Sequence, residues 1–339
     1  MKNLLYISFI CLLLTQCKKE EVSTRKFIDE PYFLEIPTGF PVPKIPEDNK
    51  LTKYRVALGK KLFFDPILSE DLTISCGSCH FPNKAFSDTS NLSKGVYGRT
   101  GIRNSPSLAN LAYKNSFFMD GGVPTLELQV IAPIQDHNEM NINILNVIER
   151  LKENVEYTRL SKLAYNREPD GFVLTRAISA FERTLISGNS LYDEYINGKL
   201  DAFSPSQIRG KNLFFSSKTN CSTCHSGFNF TNNTFESIGL YPSYSDSGRM
   251  RVTLNESDRN KFIVPSLRNV EVTAPYMHDG SIQTLEEVVD FFDNGGHNSV
   301  NKSSLVRKLY LTDTEKGDLV IFLKSLTDTD FLNNTNHSL

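Results

Sequence analysis

Two copies of one five-residue string carry the most specific chemistry in this chain: Cys76-Gly77-Ser78-Cys79-His80 and Cys221-Ser222-Thr223-Cys224-His225. Cys-x-x-Cys-His is the attachment signature of c-type haem. The two thiols bond covalently to the haem edge, and the adjacent imidazole is held beneath the iron as its proximal ligand. Paired Cys-x-x-Cys could instead build a zinc centre from thiolates and imidazoles, or a redox-active thiol pair. A histidine directly after both pairs favours haem. This assigns Cys76, Cys79, Cys221 and Cys224 to attachment, and His80 and His225 to iron. Of the six cysteines, only Cys11 and Cys17 remain, both near the N-terminus, so no disulfide is expected.

The segments that must position these sites also recur. Gly59-Lys60-Lys61-Leu62-Phe63-Phe64 precedes the first and Gly210-Lys211-Asn212-Leu213-Phe214-Phe215 the second. Downstream, Pro106-Ser107-Leu108-Ala109-Asn110 matches Pro265-Ser266-Leu267-Arg268-Asn269, and Asp120-Gly121 matches Asp279-Gly280. Thr-Leu-Glu then recurs at 125–127 and 284–286. A period that long signals two copies of a haem-binding domain rather than a solenoid.

The connecting segments read as helices. Ile144, Leu145, Ile148, Leu151 and Val155 share one helical face, and Phe172, Leu174, Ala177, Ile178 and Phe181 another. Thr284-x-x-Glu287 and Thr312-x-x-Glu315 are capping boxes that each open a helix. Leu319, Val320, Phe322, Leu323 and Leu326 form the apolar stripe of the last one. Alternating strand patterns are scarce. The expected fold is mostly α, as two cytochrome-c-like haem domains related by internal duplication.

Lys2 and the apolar run at 4–14 read as a signal-peptide core, too short to span a bilayer. Leu14-Thr15-Gln16-Cys17 is similar to a bacterial lipobox, so residues 1–16 are expected to be removed and Cys17 lipidated. Prolines at 31, 37, 41, 43 and 46 exclude helix and predict an extended tether over 17–46. The body then divides into an N-terminal haem domain, 47–198, and a C-terminal one, 199–339, whose last helix is expected to pack back on the first. A net charge of −2 gives no reason to expect nucleic acid as a partner.

With these motifs in place the chain resembles the bacterial di-haem cytochrome c peroxidases and their MauG-type relatives, from about Phe40 to about Leu326. The resemblance rests on Leu58-Gly59-x-x-Leu62-Phe63-Phe64-Asp65-x-x-Leu68-Ser69, on Arg103-Asn104-Ser105-Pro106-Ser107-Leu108 and on Ala274-Pro275-Tyr276-Met277-His278-Asp279-Gly280. It implies an N-terminal haem that reacts with hydrogen peroxide and a C-terminal haem that passes electrons in. The family's catalytic Glu falls on Glu139 and its distal Gln on Gln129. It also implies a calcium ion between the lobes, at Asn104, Thr273 and Pro275.

Three departures matter. Many members block the peroxide haem with a second His, and that position is Val96 here. The family's inter-haem Trp aligns with Met119, in a chain that has no Trp. The second haem's usual distal Met or Tyr is Phe292, which leaves His297 and Met277 as candidate ligands beside a five-coordinate or water-bound iron. His278 reads as structural.

Three functions are compatible with these features. The first is a periplasmic peroxidase, anchored by lipid on Cys17 and supplied by a small cytochrome c or cupredoxin. The second is a MauG-type oxidase that modifies a partner protein, and the third an electron-transfer cytochrome without catalysis. Val96 and Glu139 favour the first. A homodimer is left open.

Overall fold

The computed structural model describes residues 29–338, so the leader, Cys17 and the start of the tether lie outside the described residues. The N-terminal part runs through helices α1 (Lys53–Phe64), α2 (Leu126–Gln129), α3 (Ile131–Gln135), α4 (Ile144–Glu153), α5 (Val155–Tyr165), α6 (Gly171–Glu182) and α7 (Leu191–Ile196). The C-terminal part adds α8 (Pro205–Phe214), α9 (Cys221–Cys224), α10 (Met250–Thr253), α11 (Leu285–Asn294), α12 (Asp313–Lys324) and α13 (Thr329–Leu332). Among the described residues the only sheet pairs two antiparallel strands, β1 (Phe235–Glu236) and β2 (Phe262–Ile263), in the register Phe235 to Ile263. The fold is mostly helical, as the spacing of apolar residues requires.

One helix crossing occurs twice. α1 packs on α6 at Gly59, where a Cβ would lie 1.8 Å from the Ala177 carbonyl oxygen. α8 packs on α12 at Gly210, where a Cβ would lie 1.9 Å from the Asp318 oxygen. Only glycine lets the backbones approach so closely. Each crossing organises its own apolar core. The first buries Leu58, Leu62, Phe63, Leu174, Ala177, Ile178 and Phe181; the second buries Phe214, Leu319, Val320, Phe322 and Leu326. α13 returns to the first core, where Phe331 packs edge-on to Phe86 at 6.1 Å.

A buried polar hub ties the two cores together. Asn110 and Asn269, both in the left-handed region at φ 63° and 60°, reach the 187–189 segment from opposite sides. Asn110 Nδ2 donates to the Ser187 carbonyl at 2.9 Å, and Asn269 Nδ2 donates to Ser187 Oγ at 2.9 Å. Asp328 Oδ2 accepts from Ser187 Oγ and from the backbone N–H groups of Gly188 and Asn189. Every buried group here has a partner, which is what makes such a network stabilising.

Both predicted capping boxes form, at Thr284–Glu287 and Thr312–Glu315, and the predicted stripe on α12 is buried. The expected stripe at 144–155 needs correction. Asn154 caps a new helix by accepting from Glu156 and Tyr157 N–H, so α4 stops at Glu153. Leu145 and Val155 are exposed, and the buried face is Val147, Ile148 and Leu151.

The tether is also not a free spacer over its described part. Proline does exclude helix there, yet Tyr32, Leu34 and Ile45 pack on the first core. Phe40 lies 4.7 Å from the Phe228 ring and under the Arg268 guanidinium at 4.5 Å. The apolar side chains between the prolines strap the segment to the body.

Candidate functional site

Cys76 opens a tight turn, Cys76–Ser78, whose start is fixed by a reciprocal pair of bonds between Ser75 and Ser78. His80 N–H returns to the Cys76 carbonyl at 3.0 Å, which places thiols and imidazole on one short coil of backbone. His80 Nδ1 lies 2.7 Å from the Phe86 carbonyl. A carbonyl can only accept, so Nδ1 carries the proton and Nε2 keeps its lone pair for a metal. Burial pushes the His80 imidazole below its ordinary value, which keeps it neutral.

The second site repeats the arrangement with different partners. α9 spans Cys221–Cys224, and His225 N–H donates to the Cys221 carbonyl at 2.9 Å. His225 Nδ1 faces the carbonyls of Phe230 and Pro265, each at 3.1 Å. Its pKa is likewise lowered by burial.

Both sites open into one largely apolar cavity of about 870 Å3, lined by Cys76, Cys79, His80, Cys221, Cys224 and His225. Among the described residues no three His, Cys, Asp or Glu side chains gather into a metal-holding group. The two pairs therefore do not assemble the zinc centre considered from sequence. The donor set fits covalent haem: each site brings two thiols and an imidazole held by a backbone carbonyl to one largely apolar space. Lys114 borders the same cavity with no acidic partner among the described residues, and burial pushes its ammonium down to about 8. A cation so placed suits an occupant that carries carboxylates, as haem does.

Glu139 and Gln129 both line this cavity, from the loop after α3 and the end of α2. Glu139 retains exposed surface while lining the cavity beside Asn138 and Met140. Burial, helped by the charge of Asp136, pushes its carboxyl up to about 7. Its backbone is braced by Val96, whose N–H donates to the Glu139 carbonyl at 2.8 Å. Gly95 makes this possible, since a Cβ there would lie 2.1 Å from the Asn138 oxygen. Val96 itself is fully buried and is not among the residues lining the cavity. His137, two residues before Glu139, is exposed and off the cavity.

Phe292, Met277 and Met119 line the cavity, whereas His297 stands exposed on the loop after α11 and does not. His297 is therefore not brought to the second site as a ligand. His278 lines the cavity and stacks on Phe262 at 4.2 Å. Asn104, Thr273 and Pro275 all border the cavity.

Sequence reasoning missed Glu182. It ends α6 beside the first site, is 5% exposed, lines the cavity, and its Oε2 has no hydrogen-bond partner. Burial pushes its carboxyl up to about 8. A glutamate interrupting the apolar face of α6 was the available signal.

A family model described as di-haem cytochrome c peroxidase matches residues 53–201. The methylamine utilization protein MauG of Methylorubrum extorquens is 38% identical over 296 residues, covering 86% of this chain and 82% of its own. Cytochrome c551 peroxidase of Nitrosomonas europaea is 34% identical over 276 residues, covering 80% of this chain and 79% of its own. Among solved structures, a MauG-like protein associated with microbial copper homeostasis superposes with a TM-score of 0.86 at 32% identity, covering 91% of this chain and 99% of that one. Paired attachment turns, fixed imidazoles and these likenesses agree: the chain belongs to the di-haem cytochrome c peroxidase and MauG family.

Proposed function

We propose that this protein reduces hydrogen peroxide to water with electrons from a small cytochrome c or cupredoxin. One observation carries the reading: the Glu139 carboxyl borders the cavity that holds the first attachment site and is poised at about 7. Cleaving peroxide requires a proton to move from one oxygen to the other. A carboxyl near neutrality can accept it and then return it. The Gln129 carboxamide, with one acceptor and two N–H donors, orients the peroxide by hydrogen bonding. Apolar walls limit competing water. His80 and His225 would hold the two irons, with Cys76, Cys79, Cys221 and Cys224 as the covalent attachments. When bound, the haems supply the peroxide-binding iron and the electrons.

Val96 has no lone pair to close the first iron. The fully oxidised protein is therefore expected to consume peroxide at once, without pre-reduction. A lag in the stopped-flow trace that only reductant abolishes would sink this reading of Val96.

A MauG-type oxidase acting on a partner protein is the second reading, supported by the 38% identity to MauG. Met119 and Phe292, standing where the family resemblance places Trp and Tyr, weigh against it. The two readings separate on one assay. A peroxidase should oxidise a reduced small cytochrome at many turnovers per enzyme when peroxide is added. If the donor stays reduced while peroxide disappears, the oxidase reading takes over.

Several finer assignments belong to the same proposal. The two halves descend from one duplicated haem domain, with boundaries near 47–198 and 199–339, since the glycine crossings and imidazole–carbonyl bonds recur. A calcium ion would be held by Asn104, Thr273 and Pro275, which all border the cavity. Asn104 Nδ2 already serves the carbonyls of Ser90 and Asn91 at 3.1 Å each, which turns its oxygen to that role. The protein works on the periplasmic side of a membrane, anchored through Cys17.

A further inference from the structure

The chain has no tryptophan, yet a ladder of rings leads away from the cavity beside Met119. Ile263 N–H donates to the Met119 carbonyl at 2.7 Å, which sets its neighbour Phe262 next to that residue. Phe262 stacks on His278 at 4.2 Å and 22°. His278 stacks on Tyr244 at 5.8 Å and 29°, and Tyr244 meets Tyr241 edge-on at 5.6 Å. The first three rings line the cavity and Tyr241 does not.

The two tyrosines differ in one respect that decides their chemistry. The Tyr244 hydroxyl accepts the Leu240 N–H at 2.5 Å. The Tyr241 hydroxyl donates to Asp279 Oδ2 at 2.6 Å. A phenol loses an electron readily only when its proton can leave with it, and a carboxylate already receiving that hydrogen bond is the acceptor it needs.

We infer that Tyr241 is a redox-active tyrosine, at which an oxidising equivalent formed in the cavity comes to rest after crossing the His278–Tyr244 stack. The inference builds on the peroxidase reading, with hydrogen peroxide as the oxidant. Peroxide takes two electrons and two protons to become two waters. One electron comes from the Tyr241 ring; its O–H bond breaks, the proton passes to Asp279 Oδ2, and a neutral tyrosyl radical remains. The second electron comes from haem iron.

The test uses the di-haem protein mixed with peroxide in the absence of donor, with peroxide consumption followed optically and radicals trapped by freeze-quench EPR. A tyrosyl signal is expected, reshaped when the tyrosines carry ring deuterium. It should be lost in Tyr241→Phe, which keeps the ring but has no phenolic proton, while peroxide is still consumed. Asp279→Asn should weaken it by removing the proton acceptor, and Tyr244→Phe should leave a radical at Tyr241 that forms more slowly. Peroxide consumption without a tyrosyl signal, or an undiminished signal in Tyr241→Phe, would overturn the inference alone. Failure to consume peroxide at all would defeat the peroxidase reading and this inference with it.

Discussion

Replacing Glu139 by glutamine is expected to lower peroxide turnover by about 10²–10⁴-fold, the usual contribution of a positioned acid–base group, while both haems still load. Glutamine keeps the size and the hydrogen-bonding reach and removes only the titrating proton. The backbone that carries the residue is held independently, by the Val96 N–H and the close approach of Gly95. A large fall in turnover with unchanged spectra would therefore report chemistry and not misfolding. The pH dependence provides a second readout. Burial raises the Glu139 carboxyl from its ordinary value to about 7, and only the deprotonated form can accept the first proton from peroxide. The second-order rate constant for peroxide should thus fall as pH drops below about 7, approaching a tenfold loss per unit. That acid limb should vanish in Glu139→Gln. A loss of turnover below about threefold would make Glu139 a bystander.

How far the sequence could be read depended on the range of the interaction involved. The two Cys-x-x-Cys-His turns were legible because their thiols and imidazole come from five consecutive residues. Capping boxes were legible for the same reason, since Thr284 and Thr312 each bond a residue three positions on. Legibility failed where a local signal competed with a tertiary one. Asn154 sits inside a continuous apolar pattern, and only its side-chain bonds show that one helix ends and another begins there. Proline density at 31–46 correctly excluded helix but carried no information about the Phe228 ring or the Arg268 guanidinium waiting for Phe40. Lys114 and Glu182 were invisible because their significance lies in what is missing around them, a partner for a titratable group on the cavity wall. Val96 offers no lone pair to a metal, which its side chain alone states. Its removal from the cavity wall, and its role in bracing Glu139, emerged only from the folded backbone.

The largest stability effect is expected from Asp193→Ala. Asp193 and Arg268 form a two-pronged pair at 2.8 and 2.9 Å, with side chains only 4% and 1% exposed. Removing the carboxylate leaves the guanidinium buried, with the Phe228 carbonyl and the Phe40 and Phe230 rings beside it. Breaking a buried pair from one side typically costs about 3–5 kcal/mol, whereas replacing both members by apolar groups costs far less. The double variant Asp193→Ala/Arg268→Leu should therefore be more stable than Asp193→Ala alone, read as a higher urea midpoint at unchanged slope. If the double variant is no better than the single one, an unpaired charge is not the cause. The damage should also be one-sided. Arg268 lies three residues after Pro265, whose carbonyl faces His225 Nδ1 at 3.1 Å, so loosening it should perturb the spectrum of the second haem. The corresponding position in the first half is Ala109, which has no charge to strand. The first haem's spectrum should accordingly stay as it is in the parent protein, and equal perturbation of both haems would show that the strain spreads through the shared hub.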